Sequence, residues 1–266
     1  MNTQQNETNI EPIFPNEENS LIQNALAMLW QEPFQYLKCY AEITDSIPAG
    51  WFLSWFSALC KSYEEMALSD ADICNDLCIS KQQWGKTRSL LAKKDILQIR
   101  TEKKQSFYSL KEDTVELLLR QRQTIKTAPK ELELLETFFP SILCVNRLHL
   151  ASLTALGVSL NAVILLAYLI DTLPAKPINE REPISTPILI DYENITNNTY
   201  LSKRQVSIAL TELNKIGIVN TQENQDDKEK YVTINFTKLS DITLNYVENK
   251  QNNNNPTGKC DDEQPT

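Results

Sequence analysis

Five glycines and one histidine in 266 residues leave little of the material from which phosphate loops and many catalytic sites are built. The glycines are scattered and form no glycine-rich phosphate-binding loop. His149 lies in an apolar run, where a histidine is more often a packed core residue than a catalyst or a ligand. The acidic residues form no metal or glycosidase pattern, and the Asp-Asp-Glu run at 261–263 stands in a tail too irregular to hold catalytic geometry. The sequence therefore predicts a non-enzymatic protein without catalytic residues, cofactor or metal.

The first residues lack a basic segment followed by an apolar one, so no secretory signal is visible. The 6 cysteines are scattered, and no further Cys or His pair follows Cys74 and Cys78 at zinc-finger spacing. They are expected to be reduced and buried, which favours a cytoplasmic location. The apolar run at 148–170 has about the length of a membrane span, but Gly157 is expected to divide it into two helices, so no membrane partner is expected.

Positive charge is also in short supply. The chain has 26 Lys and Arg residues against 35 Asp and Glu residues, which gives a net charge of −9. Proteins that bind nucleic acids neutralise phosphates and are more often basic. A nucleic-acid function therefore requires the basic residues to be concentrated in one part of the chain.

One stretch has the pattern of two short helices followed by a hairpin. A serine suited to cap a helix precedes each of two helical stretches, 70–77 and 81–93, and an apolar helix at 51–63 precedes both. Apolar residues then alternate at 96–100 and 107–110, on either side of a polar tip. Helix, turn, helix and two-stranded hairpin in this order are typical of a winged helix-turn-helix unit.

The second of these helices recurs later in the chain. The segment SKQQWGKTRSLLAKKDI, which begins at Ser80, aligns without gaps with SKRQVSIALTELNKIGI, which begins at Ser202. The cap, the apolar side of the helix and the entry to the following strand agree, which indicates a duplicated unit. The second copy is expected to contain an apolar helix at 158–171, a short strand at 188–190, helices at 192–197 and 203–215, and wing strands at 218–221 and 231–236.

These patterns predict a mainly α protein with small β-hairpins, of the α+β class, in which a helical connector joins two winged helix-turn-helix units. Residues 34–43, within the first unit, are expected to form a short helix. The predicted boundaries are a disordered lead at 1–18, the first unit at 19–110, the connector at 111–144, the second unit at 145–247 and a disordered tail at 248–266.

The stretch from Ser80 to Ile96, with its hairpin and the preceding SIPAG turn and apolar helix, resembles the winged-helix modules of phage and plasmid replication-associated proteins. It is also similar to bacterial winged-helix regulators in general. The resemblance covers residues 45–110 and, more loosely, 150–245, and it concerns the fold. It implies a non-enzymatic protein that binds double-stranded DNA and controls replication initiation or transcription of a mobile element, a plasmid or a phage.

Basic residues are concentrated in the first copy. Residues 80–104 contain eight basic and two acidic side chains, whereas residues 202–230 contain five of each. The recognition helix of such a unit enters the major groove by its N-terminal residues, and the wing touches the DNA backbone or the minor groove. The residues expected to contact DNA are Lys81, Gln82, Gln83, Lys86, Arg88, Lys103 and Lys104 in the first copy and Lys203, Arg204 and Gln205 in the second.

A second interpretation stays open beside DNA binding. Tandem winged helices also serve as protein-interaction scaffolds, among them the acidic winged-helix partners of condensin-type complexes and helicase-loading factors. The acidic balance of the chain and the neutral second copy favour that use. An apolar side chain on the outer side of the second copy, such as Ile208, would then contribute to a face for a protein partner or for a second copy of the chain.

Overall fold

A computed structural model of the protein describes residues 33–60, 64–122, 142–173, 187–224 and 229–254. In these residues ten helices and eight short strands form a mainly α protein with three small antiparallel sheets, which confirms the predicted α+β class. Several predicted segments lie outside the described residues: the lead at 1–18, most of the connector, the tip of the second wing and the tail beyond residue 254.

The described elements of the second half of the chain repeat the order of those in the first half. The first half contains β1 (Phe34–Leu37), α1 (Lys38–Thr44), α2 (Ile47–Cys60), β2 (Met66–Ala67), α3 (Asp70–Leu77), α4 (Lys81–Lys93), β3 (Leu97–Glu102), β4 (Gln105–Leu110) and α5 (Glu112–Arg122). The second half contains β5 (Ile142–Val145), α6 (Arg147–Ala155), α7 (Leu160–Asp171), β6 (Ile188–Leu189), α8 (Tyr192–Thr199), α9 (Lys203–Lys215), β7 (Val219–Glu223), β8 (Lys230–Ile234) and α10 (Phe236–Asn254).

Capping residues fix where α4 and α9 begin. Ser80 accepts a hydrogen bond from the backbone N–H of Gln83 at 3.2 Å, and the Gln83 side chain accepts one from the backbone N–H of Ser80 at 3.0 Å. Ser202 and Gln205 form the same reciprocal pair at 3.4 and 2.8 Å. This arrangement, a capping box, satisfies two backbone donors at the helix start. Both helices accordingly have the predicted limits.

The last strand of each hairpin also pairs with the short strand that precedes the helix pair. β4 lies between β2 and β3, with Met66 opposite Tyr108, and β8 lies between β6 and β7, with Ile188 opposite Val232. Three strands in this order around the helix pair complete a winged helix-turn-helix unit in each half. β6 lies within the strand predicted at 188–190, where Ile-Leu-Ile favours a strand, whereas the Met-Ala pair of β2 carries no such signal.

The segment predicted as a helix at 34–43 is a strand in its first part, so that prediction is wrong there. β1 pairs in antiparallel fashion with β5, with Phe34 opposite Val145 and Leu37 opposite Ile142, and α1 begins only after β1. The partner strand lies in the other half of the chain, and its residues 142–144 belong to the connector that was predicted to be helical. Local helical spacing gives no sign of such a pairing, since register is set by the partner.

β1 and β5 join the two halves into one hydrophobic core. Phe34 stacks on Trp51 of α2 with ring centroids 3.7 Å apart, and the buried hydroxyl of Tyr36 donates a hydrogen bond to the carbonyl oxygen of Thr199 in α8 at 3.0 Å. Val145 of β5 is buried as well, and the buried residues of both halves form one continuous cluster. Packing and a buried hydrogen bond therefore set the orientation of the two units.

A helix follows the hairpin in each half. The second hairpin ends at Ile234, two residues before the predicted end, and α10 then runs to Asn254. Part of the tail predicted as disordered from residue 248 is therefore helical. The helix continues because α10 packs on α6. The side chains that α10 buries lie one helical turn apart and are Leu239, Thr243 and Val247. In the predicted connector, α5 packs on α1 and buries Val115 and Leu119.

No disulfide joins the cysteines in the described ranges, and these cysteines differ in burial. Cys39 and Cys74 are buried, as predicted, and Cys60 and Cys78 are partly buried. The prediction is wrong for Cys144, which is exposed because side chains along β5 alternate between the core and the outside. Cys260 lies outside the described residues.

The apolar run predicted to break at Gly157 does so. Gly157 has a φ of +80° and lies between α6 and α7. No helix in the described part of the chain combines the length and the apolar character that a membrane span requires. His149 is partly buried in α6, and burial lowers the pKa of its imidazole below the usual value.

Replacing glycine by alanine is expected to have opposite effects on stability at two helical positions, Gly50 and Gly85. A Cβ at Gly50 in α2 would lie 2.4 Å from the backbone nitrogen of Ala41 in α1, whereas a Cβ at Gly85 in α4 would meet nothing within 4 Å. We expect Gly85→Ala to raise the free energy of unfolding by about 1 kcal/mol, since alanine is the better helix former. Gly50→Ala is expected to lower it by about 2 kcal/mol through overpacking. Urea denaturation measures both, and changes of the same sign would contradict this packing of α1 on α2.

Candidate nucleic-acid interface

The outer side of α4 presents exposed basic and amide side chains. Trp84 and Leu91 face the core with 1% and 0% exposure, which leaves Lys81, Gln82 and Lys86 on the outside, as predicted. The side chain of none of these three makes a hydrogen bond or an ion pair with another residue that the structure describes. They are therefore available to a ligand.

Three other predicted contact residues have structural partners. Gln83 and Gln205 cap their own helices through the reciprocal bonds described above. Arg88 donates hydrogen bonds to both carboxylate oxygens of Asp70, each at 3.2 Å. These contacts hold α4 and α9 in place.

Asp70 links α3, α4 and the wing. Its Oδ1 accepts a hydrogen bond from Nε1 of Trp84 at 2.7 Å and one from the hydroxyl of Tyr108 at 3.1 Å. Burial alone would raise the pKa of this carboxyl, but the hydrogen bonds from Trp84 and Tyr108 and the charge of Arg88 outweigh it. The pKa of Asp70 therefore lies below its usual value, and the ionised carboxylate positions α4 against the hairpin of β3 and β4.

The tip of the first wing carries two exposed lysines. Lys103 and Lys104 occupy the two turn positions between β3 and β4, both in the left-handed region, with φ of 48° and 70°. This two-residue turn suits the twist of a hairpin. Neither lysine pairs with another described residue. Arg100 on β3, in contrast, is bonded to Glu65 at 2.7 Å and to Glu102 at 2.6 Å.

Internal ion pairs reduce the positive charge that the first unit offers to a ligand. Arg88 and Arg100 are paired as described, and Lys94 contacts Asp45 at 3.2 Å. The remaining basic residues of 80–104 have no described carboxylate partner and are all lysines: Lys81, Lys86, Lys93, Lys103 and Lys104. Four of these five lie at the start of α4 or at the wing tip, the two places that face DNA in this class of fold.

The second unit has different side chains at the equivalent positions. The Nζ of Lys203 lies 5.0 Å from the ring centroid of Tyr192, while Arg204 is exposed and pairs with no other described residue. The position of Lys86 is taken by Ile208, which is 48% exposed. The outer side of α9 therefore offers one free guanidinium group and one apolar side chain.

A cleft of about 600 Å³ lies between the two units. The first turns of α4 and α9 both border it, through Gln83 and Gln205. The starts of α2 and α7 border it as well, through Ser46 and Ser159. The predicted recognition helices of the two units thus begin at one shared surface.

The sequence patterns did not predict two features of the winged units. Asp70 carries no local signal of its role, because its donors come from α4 and β4. The apolar helices at 51–63 and 158–171 were predicted as counterparts, but the short match in front of them was missed: SIPA at Ser46 corresponds to SLNA at Ser159. Each serine accepts a hydrogen bond from the backbone N–H three residues later, at 3.4 and 3.3 Å.

No protein-family model and no curated protein matches this chain. A proposal for its function therefore depends on the residues and the geometry just described.

Proposed function

We propose that the protein binds double-stranded DNA, without catalysing a reaction, through the outer side of α4 and the wing tip between β3 and β4. The supporting observation is the position of Lys81, Lys86, Lys103 and Lys104, which are exposed and have no described partner. Lysines at these places contact phosphates, and Gln82 beside them is suited to bond an adenine edge. Because the chain as a whole is acidic, DNA is expected to meet it at this surface.

The biological part of the proposal is control of replication initiation or of transcription of a mobile element, in the cytoplasm. It is supported by the resemblance of residues 45–110 to winged-helix modules of phage and plasmid replication-associated proteins. The duplicated unit agrees with such a role, since two recognition helices give one chain a longer site to read.

Binding is tested by fluorescence anisotropy with the full chain and labelled random-sequence duplexes. We expect binding at about 50 mM salt that weakens steeply toward about 200 mM. Lys81→Ala combined with Lys86→Ala is expected to weaken it by up to about a hundredfold at the lower salt concentration. As a control, Lys215→Ala combined with Lys238→Ala removes the same amount of charge near the other end of α9. This control is expected to change the DNA affinity little. Absence of binding by the unaltered chain at about 50 mM salt would refute the proposal.

A protein-interaction role is the second candidate function. The described part of the second unit exposes four large apolar side chains: Leu156, Leu189, Ile208 and Leu244. Light scattering of the full chain distinguishes this role, together with the binding assay. A chain that does not bind DNA but forms dimers, and that becomes monomeric in Ile208→Asp, would support a protein face on α9.

A further inference from the structure

An approximate two-fold axis relates the two halves of the chain. Counted from the residues that precede α1 and α6, Leu37 and Asn146, Phe34 corresponds to Leu143 and Tyr36 to Val145. All four of these strand residues are buried, and Phe34 lies opposite Val145 while Tyr36 lies opposite Leu143. Equivalent residues therefore exchange partners across the pair, which is the pattern of an isologous contact between two identical subunits. The axis passes through the centre of this two-stranded ribbon.

The cleft between the units lies on the same axis. Ser46 and Ser159 are equivalent by their capping bonds, and Gln83 and Gln205 are equivalent by their capping boxes. All four line the cleft. A cleft lined by the same residues from both halves is centred on the axis. The first turns of α4 and α9 therefore lie on either side of the axis, on one surface of the molecule.

Contacts between the halves keep this arrangement in place and moderate the charge of the cleft. The hydroxyl of Tyr200, in the turn before α9, donates a hydrogen bond to Asp45 at 3.3 Å, in addition to the buried bond between β1 and α8. Asp45 lines the cleft, but Lys94 at 3.2 Å and Arg122 at 2.6 Å offset its charge. A phosphate backbone that crosses the cleft therefore meets no uncompensated carboxylate at this residue.

We infer that one chain binds an imperfect inverted repeat in double-stranded DNA, with α4 in one half-site, α9 in the other, and the axis of the protein on the dyad of the DNA. The inference rests on the proposed DNA-binding function. In helix-turn-helix dimers the symmetry of the operator mirrors that of the protein, because each recognition helix reads its own half-site. Here both helices belong to one chain, so a single chain takes the place of the dimer.

The two half-sites are expected to differ, because equivalent positions of the two helices differ. Gln82 and Lys86 of α4 correspond to Arg204 and Ile208 of α9. A glutamine pairs with adenine, an arginine pairs with guanine, and an apolar side chain contacts the thymine methyl group. The α4 half-site is therefore expected to contain an adenine where the α9 half-site contains a guanine, with a thymine beside Ile208.

In vitro selection from a random duplex pool, with the full chain, tests this inference. The expected motif has two half-sites in inverted orientation, and light scattering of the complex is expected to give one chain per duplex. Gln82→Ala is expected to reduce the preference at one half-site by about tenfold, and Arg204→Ala the preference at the other. Both side chains are exposed, so neither substitution disturbs the core.

Several outcomes would overturn the inference and leave the proposed function in place. They are a motif with a single half-site, two half-sites in direct orientation, two chains on one duplex, and binding without a selected motif. Failure of the chain to bind any duplex at about 50 mM salt would instead remove the proposed function, and the inference with it.

Discussion

Replacing Asp70 by alanine is expected to lower the free energy of unfolding by about 3 kcal/mol, because its carboxylate is the acceptor for two buried side chains. Nε1 of Trp84, at 2.7 Å, and the hydroxyl of Tyr108, at 3.1 Å, would lose this acceptor. A buried donor without an acceptor costs about 1–3 kcal/mol. The first turn of α3 would also lose a favourable negative charge. Urea denaturation at neutral pH, followed by tryptophan fluorescence, measures the change.

Asp72 offers a matched control on the same helical turn. It is exposed and completes the cap of α3 by accepting hydrogen bonds from the backbone and the hydroxyl of Ser69, at 3.3 and 2.6 Å. Asp72→Ala is therefore expected to cost about 1 kcal/mol, the usual value of a cap. Asp70→Asn keeps an acceptor and should fall between the two. If Asp70→Ala lowers the free energy of unfolding by no more than Asp72→Ala does, the carboxylate of Asp70 does not link α4 to the wing as described.

The same carboxylate gives the stability a pH dependence. The pKa of Asp70 lies below its usual value in the folded protein, because hydrogen bonds from Trp84 and Tyr108 and the charge of Arg88 outweigh the effect of burial. Such a group contributes stability that is present above its unfolded-state pKa and is lost as the pH falls through its folded-state pKa. The difference in unfolding free energy between the unaltered chain and Asp70→Asn is thus expected to be constant above about pH 5 and to shrink below about pH 4. The side chain is 47% exposed, so screening by water keeps the purely ionic part small.

A comparison with the second unit indicates that Asp70 and the residues that donate hydrogen bonds to it depend on one another. Counted from the equivalent serines and strand registers, the positions of Asp70, Trp84, Arg88 and Tyr108 are held in the second unit by Tyr192, Val206, Leu210 and Val232. All four residues differ between the two units: the first unit has a hydrogen-bonded polar cluster, and the second has apolar or aromatic side chains at the same positions. A buried polar network is favourable only when each member is satisfied, so an exchange of one member alone would leave donors unpaired.

The limits of α3, α4 and α9 could be predicted because their signals are local, whereas the apolar helix predicted at 51–63 begins at Ile47. Ser80 and Ser202, each followed three residues later by a glutamine, determine the starts of α4 and α9 to the residue. β1 could not be predicted in this way, because its partner is β5 in the other half of the chain. The same holds for residues 248–254, whose polar composition suggested disorder, although they continue a helix that packs on α6.

The candidate site could be predicted as a region, but not residue by residue. The excess of basic residues in 80–104 is visible in the sequence, and Lys81 and Lys86 do lie on the outer side of α4. Which cations are free depends on acidic partners distant in sequence. Arg100, for example, is held by Glu65, which precedes β2. Only the folded chain shows that the accessible positive charge of this region consists of lysines.

Removing the four lysines at the start of α4 and at the wing tip is expected to lower DNA affinity by about three orders of magnitude at about 0.1 M salt. The substitutions are Lys81→Ala, Lys86→Ala, Lys103→Ala and Lys104→Ala, all at exposed positions. Each phosphate contact contributes about −0.9 to the slope of log affinity against log salt, because binding releases counterions. The slope is therefore expected to flatten by roughly 3–4, measured by anisotropy titrations at several salt concentrations.

Ile208→Lys is the complementary change, since it places in α9 the lysine that Lys86 provides in α4. Ile208 is 48% exposed, so the substitution leaves the core intact. If α9 meets DNA, the slope is expected to steepen by about 1 and the affinity to rise about tenfold at about 0.1 M salt. If the four-lysine variant loses affinity as expected while Ile208→Lys leaves the slope unchanged, then DNA binding belongs to the first unit alone, and the outer side of α9 is available to a protein partner.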